Sequence, residues 1–381
     1  MRYSPLLYCL FTVFFWSFSA TPSSPVLHES LAGQPSLRAL YLLTPPSDYK
    51  ALEDVVMSYK NSGADTIIIR PAMTARGIDK VLVTKAVFFA HKAGMKLFVI
   101  LPTRNSSFLL DSHPDWEDMR YDVKSGRLEP TGKLDLFNPY VTVFLSDFFR
   151  DVAGYSVDGI LLAEDFDYGD IEGLSDMARS RYKQKYGSAF SLRRALGNIK
   201  GDRTEDRQPE EYGEDFWKLA EMKKSMLLVL LKNIMQSARA VNKHLKFGLT
   251  LHVPGLFVKE KEVLAWYSHD VEAFKKSDIN YFWLAIPHRN LRAEQDINYK
   301  KTVEMVSRLA VSSSSLLSDP AKVVFAVQAV DVAGKALPLS EIEDVSTQVK
   351  NAGETGIALM IESGSLLPGE FTNKIFKRQA D

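Results

Sequence analysis

Short runs of β-branched and aliphatic residues alternate with stretches of helical periodicity along almost the whole chain. That alternation predicts βα units around a parallel sheet, not a sandwich of hairpins. Eight such runs stand out: RALYLL (38–43), DTIIIR (65–70), KLFVIL (96–101), DGILLA (158–163), KFGLTL (246–251), NYFWLAI (280–286), KVVFAV (322–327) and GIALMI (356–361). Each is nearly continuous in apolar character, as strands covered on both faces must be. The segments between them have the other period. SDYKALEDVVMSYKNSG (47–63) offers Ser47 or Asp48 as an N-cap, sets Leu52, Val55, Val56 and Tyr59 at helical spacing and has Gly63 as a stop. Eight strands, each followed by a helix, are the count of a (β/α)8 TIM barrel, so the expected fold is a single α/β domain over residues 37–370 with an insertion after the fourth strand. That insertion, 187–214, is polar and charge-rich, and it precedes a long helix from about Asp215 to Asn242. Phe216, Leu219, Leu227, Leu230 and Ile234 line one side of this helix, which reads as core packing and not as a cofactor box.

Composition narrows the class. Basic and acidic residues balance at 47 each and are interspersed, so there is no basic stripe and nucleic acid is not an expected partner. The N-terminus differs from the rest. Arg2 precedes the apolar run PLLYCLFTVFFWSF (5–18), and Ser17-Phe18-Ser19 supplies small residues at the two positions a signal peptidase reads. We expect a cleaved signal peptide over 1–20, a loose leader over 21–36, a periplasmic or secreted product and no stable membrane span after cleavage. The apolar run is shorter than the roughly 20 residues of a spanning helix. The one cysteine, Cys9, lies inside this run, so a thiol nucleophile, a thiolate metal site and disulfides are not expected in the mature chain.

Candidate chemistry collects where the predicted strands end, which is where barrel enzymes carry their functional groups. The fourth strand runs straight into acids in SVDGILLAEDFDYGDIEG (156–173): Glu164, Asp165, Asp167, Asp170 and Glu172. Crowded carboxylates cost electrostatic energy, so a loop that binds a cation or moves protons would account for them. Glu164 and Asp165 are adjacent, and in an extended strand they point to opposite sides, so one is the candidate catalytic group and the other positions or tunes it. A helix-capping role for one of them is the competing reading. Asp331 after strand seven or Glu362 after strand eight would be the partner across the site. The same rim collects Arg70, Arg104 and Asn105, His252, His288 and Asn290, and Gln328 as binding candidates. Trp116, Phe137, Tyr168, Trp266 and Tyr267 gather nearby and could stack on sugar rings or pack under loops. The dispersed histidines form no ligand pair and no nucleotide-binding glycine motif is present, so neither metal nor cofactor is expected.

From about Leu37 to Gly364 the chain resembles the C-terminal glycoside-hydrolase domain of periplasmic poly-β-1,6-N-acetyl-D-glucosamine deacetylases, a (β/α)8 barrel. The resemblance rests on DGILLAEDF…DIE, LFNPYV (136–141), AWYSHDVEAFKKSDINYFWLAIP (265–287) and VFAVQAVD (324–331), in that order. It implies that Glu164 and Asp165 hold the family's paired acids, Asp170 and Glu172 its following acidic pair, and Gln328 and Asp331 its strand-seven polar pair. It also implies a partially deacetylated amino-sugar polymer as substrate, whose ammonium groups the acidic loop would complement. The chain departs from the family pattern at Ala163 (usually His), Glu164 (Asp), His288 and Asn290 (Tyr and Glu) and Val332 (Trp). We expect no deacetylase domain ahead of the barrel, and therefore no deacetylation and no catalytic metal. Two readings follow: a hydrolase that cuts an amino-sugar exopolysaccharide by carboxylate acid/base chemistry, or a non-catalytic barrel that guides polymer to an export machinery.

Overall fold

The computed structural model describes residues 36–376 apart from 75–76, 198, 200–206, 253–258, 295 and 363–366. The expected signal peptide and most of the leader lie outside the described residues, as does part of the 187–214 insertion. All eight expected strands form, at β1 (Arg38–Leu42), β2 (Thr66–Ile69), β3 (Lys96–Leu101), β4 (Gly159–Leu162), β5 (Lys246–Thr250), β6 (Tyr281–Ile286), β7 (Val323–Gln328) and β8 (Gly356–Ile361). Each pairs in parallel with its neighbours in sequence, and β1 pairs with β8 through Arg38 opposite Ile357 and Leu42 opposite Ile361, which closes the barrel. The protein is a (β/α)8 TIM barrel.

Period-2 alternation divides the strand residues between two cores. One set packs outward against the helices. The other fills the barrel: Leu37, Ala39 and Tyr41 from β1 and its approach, Ile68, Phe98, Ile100, Leu161, Tyr281, Trp283, Val324, Ala326 and Ala358. Large rings need small neighbours in this space. A Cβ on Gly159 would stand 2.5 Å from the Phe98 ring, and one on Gly248 would stand 2.2 Å from Leu161 Cδ2. Gly159 and Gly248 therefore make room for side chains from adjoining strands.

The helices follow the sequence closely. Asp48, not Ser47, caps the helix Tyr49–Ser58, accepting hydrogen bonds from Lys50 N and Ala51 N. The long helix runs Glu214–Val241, with Phe216, Leu219, Leu227, Leu230 and Ile234 buried as expected, and packs along the helix Pro139–Ala153. No helix among the described residues is long and apolar enough to cross a membrane. Two antiparallel hairpins were not anticipated: Met73–Thr74 with Gly77–Ile78, and Glu117–Asp122 with Arg127–Leu134. The second is mostly polar, packs Met119, Tyr121, Leu128 and Leu134 against the core, and carries Pro130 and Gly132, which lower its strand propensity; its register shifts between Glu117 and Met119.

Overpacking a filled barrel typically costs about 1–3 kcal/mol. Gly159→Val should lower stability by about that amount, read as a lower urea midpoint at unchanged slope, and Phe98→Leu in the same chain should recover part of the loss. Equal stability of Gly159→Val and wild type would refute this account of the interior.

Candidate active site at the strand ends

β4 ends at Leu162, and the two residues after Ala163 diverge as extended backbone dictates. Glu164 turns to Arg70 at the end of β2, which grips it with both arms: Nη1 donates to Oε1 at 3.1 Å and Nη2 to Oε2 at 2.7 Å. The pair is open to the mouth, its side chains 37% and 38% exposed. Burial works against a charge on Glu164, but Arg70 outweighs it and holds the carboxyl below its ordinary range. Beneath the pair sits Tyr41, edge-on to Trp283 with ring centroids 5.9 Å apart. Burial raises the Tyr41 phenol, with Arg70 lowering it and the charges of Glu164 and Glu362 adding to the rise. Glu362 follows β8, four strands from β4 in either direction around the barrel, and accepts from Thr44 Oγ1 at 3.3 Å.

Asp165 turns the other way and is buried. Its carboxylate accepts from Thr103 N (3.0 Å), Thr103 Oγ1 (3.2 Å), Arg104 N (2.8 Å) and Asn105 N (2.6 Å), so it ties the start of the loop after β3 to the end of β4. Burial raises its pKa against the pull of these backbone groups.

The rest of the acidic loop faces cations supplied by the protein itself. Arg104, fully buried, donates to Leu134 O (3.1 Å), Asp167 O (2.6 Å), Glu172 Oε2 (2.7 Å) and Asp118 Oδ2 (2.7 Å), and its guanidinium lies 4.0 Å above the Tyr168 ring. Lys133 reaches Glu172 Oε1 at 2.8 Å. Burial pushes Glu172 up, but Arg104 and Lys133 prevail and bring it down to about 2. Asp170 meets Arg207 and accepts from Tyr212 Oη at 2.7 Å. Buried Lys223 donates to the carbonyls of Gly169 and Asp170 at 3.0 Å each. Asp170 and Glu172, expected to face a cationic sugar, are thus paired internally. Desolvating them without a counter-charge would be prohibitive, and the loop brings its own.

The other candidates divide. His252, after β5, meets Asp167 Oδ2 through Nε2 at 2.8 Å and stacks on Tyr267, with centroids 4.4 Å apart and planes 10° from parallel. Gln328, last residue of β7, accepts from Arg289 N at 3.2 Å. His288 is buried with Nε2 3.1 Å from Glu341 Oε1, and Glu341 also takes Arg289 in a two-armed pair. Asn290 lies on the short helix His288–Glu294. Asp331 closes its own turn, with Oδ1 accepting from Ala333 N and Lys335 N at 2.9 Å each. Trp266 is buried in the core, and its Nε1 has no partner among the described residues. The sequence reading did not single out Tyr41, Trp283, Lys133, Arg289 or Glu341. For Trp283 a signal existed: Tyr281, Trp283 and Ala285 alternate inward along β6.

A closed parallel barrel with its polar groups at the strand ends is an architecture shared by many enzyme classes, so the family is decided by likeness to known proteins. The chain belongs to the family described as hypothetical glycosyl hydrolase family 13, whose model matches residues 94–359. In fold it is similar to the PgaB (BpsB) glycoside hydrolase domain from Bordetella bronchiseptica, with 14% identity over 90% of this chain and 99% of that one and a TM-score of 0.68. This agrees with the resemblance read from the sequence. It is also similar to the catalytic domain of a β-amylase from Paenibacillus polymyxa (14% identity, 89% and 95% covered, TM-score 0.56). A β-galactosidase from Halorubrum lacusprofundi shares the barrel as well (12% identity, 89% and 57% covered, TM-score 0.61). No curated protein matches the chain.

Two stability effects follow from these contacts. An amide NH2 cannot accept the backbone N–H groups that converge on Asp165, so Asp165→Asn should destabilise the protein by about 1–3 kcal/mol in chemical denaturation. Glu172 has a depressed folded-state pKa, so its contribution is present above the unfolded value of about 4.3 and is lost as pH falls toward 2. Glu172→Gln should therefore be less stable than wild type by on the order of 2 kcal/mol at pH 6. The gap should close between pH 4 and pH 2, and a gap independent of pH would count against an ionised Glu172.

Proposed function

We propose that the protein is a periplasmic or secreted glycoside hydrolase that cuts an amino-sugar exopolysaccharide such as partially deacetylated poly-β-1,6-N-acetylglucosamine. The observation that carries this reading is Glu164, held ionised by Arg70 at the end of β4, with Glu362 following β8 four strands away around the barrel. Glycosidic hydrolysis takes one carboxylate to attack the anomeric carbon or activate water and one carboxylic acid to protonate the leaving oxygen. Glu164 fits the first role, because its ion pair favours the charged form. Glu362 fits the second. Asp165, committed to backbone N–H groups, positions the β3 loop and does not transfer protons. Arg70, Gln328, His252 and Asn290 are the proposed binding residues, with Tyr41, which meets Arg70, and Trp283 beside it as the aromatic surface. The substrate class is supported by the sequence resemblance, and the hydrolytic chemistry by the family.

One observation favours the non-catalytic alternative, a barrel that binds polymer and guides it during export. Both oxygens of Glu164 are engaged by Arg70, which lowers the basicity of the carboxylate and leaves only the lone pairs turned away from the guanidinium for a reacting group. Mass-spectrometric product analysis on partially deacetylated poly-β-1,6-N-acetylglucosamine separates the two. Under the hydrolase reading the wild type yields shortened oligosaccharides, and Glu164→Gln loses at least about 10²-fold in rate while still binding polymer. Intact polymer from a wild type that binds it would select the guide. Neither binding nor cleavage would refute both.

A further inference from the structure

Asp167 links the buried charge network to a side chain at the strand ends. Its Oδ2 lies 2.8 Å from His252 Nε2, while Oδ1 is buried without a hydrogen bond among the described residues, 3.9 Å from Lys133 Nζ and 4.0 Å from Arg104 Nη1. Burial opposes a charge on Asp167, but Lys133, His252 and Arg104 overcome it and keep the carboxyl well below its ordinary range. A carboxylate only accepts, so Nε2 must carry the proton that bridges the pair. In the neutral ring the lone pair then sits on Nδ1. Nδ1 has no hydrogen-bond partner among the described residues, and the side chain keeps 18% of its surface exposed. The parallel Tyr267 ring fixes the plane of the imidazole, and Tyr267 is anchored in turn where its carbonyl accepts from Tyr168 N at 3.2 Å.

We propose that His252 is a specificity-determining acceptor of the mouth, taking a hydrogen bond at Nδ1 from a donor group of the bound glycan, a hydroxyl or an ammonium, next to Glu164. This rests on the glycan reading above. It also relocates recognition: the acidic loop acts on a ligand through one oriented imidazole, not through Asp170 or Glu172, whose charges are met inside the protein. His252 lies close enough to Glu164 for its charge to be felt there. The neighbouring His269 does not compete, because burial brings it down to about 4 and its Nε2 is engaged by Phe166 O at 2.7 Å.

The groups that face the ring are Asp167 and Glu164 from the end of β4, Tyr267 and His269 from the helix Glu260–Tyr267 and the residues after it, and Lys133 and Arg104 behind Asp167.

Two measurements on the full chain test this. Long-range ¹⁵N NMR of histidine-labelled protein, with the His252 signals assigned by their absence from His252→Gln, should show the Nε2–H tautomer in wild type and a weaker preference in Asp167→Asn. Calorimetric titration with β-1,6-linked tetramers of glucosamine and of N-acetylglucosamine should show at least a tenfold loss of affinity in His252→Phe. Loss for both tetramers identifies a hydroxyl, and loss for glucosamine alone identifies the ammonium. An Nδ1–H tautomer, or unchanged affinity in His252→Phe, overturns the proposal alone. A wild type that binds neither tetramer overturns the glycan reading and this proposal together.

Discussion

One buried guanidinium organises the face of the barrel that carries the candidate chemistry. Arg104 follows β3, yet its hydrogen bonds reach the hairpin at Asp118 and Leu134 and the β4 loop at Asp167 and Glu172. A planar cation with five donors can hold that many elements at fixed angles, whereas a lysine ammonium could not. Its charge has to be matched because it lies out of reach of water, and the carboxylates of the β4 loop are what match it. The crowded acids after β4 are therefore first a solution to burying Arg104, Lys133, Lys223 and Arg207.

The network divides labour within a few residues of sequence. Asp165 and Glu164 are neighbours, but one is enclosed by backbone N–H groups and the other is open to the mouth on a partly exposed arginine. Burial raises the first and an ion pair lowers the second, so adjacent carboxyls are driven to different protonation behaviour by surroundings alone. Asp167 stands between these cases, tied to the interior cations through one oxygen's surroundings and to His252 through the other. Rigid placement of this kind suits a face whose side chains must meet a ligand in one orientation.

Much of the architecture was legible in the chain. All eight strands lie where the apolar runs are, because a parallel strand covered on both faces must be apolar at nearly every position, and that demand is local. The long helix and its buried face were legible for the same reason. The hairpin Glu117–Asp122 with Arg127–Leu134 was not: the alternation of Met119 and Tyr121 is too short to mark a strand, Pro130 and Gly132 interrupt the second strand, and Arg104, unmarked by any period, holds the pair in place.

The site was half legible. Topology places every residue that follows a strand on one rim, so Arg70, Glu164, His252, Gln328 and Glu362 could be grouped from sequence. Which of them keep a free edge, and which are enclosed, is decided by partners far away in the chain. Arg70 lies 94 residues from Glu164, His252 lies 85 from Asp167, and Arg207 lies 37 from Asp170. Sequence by itself determined the barrel, its closure and the rim, because burial and period act over a few residues. Only the tertiary structure decided the charge pairing, because an ion pair depends on distance in space and on exclusion of water, neither of which is written in the order of residues.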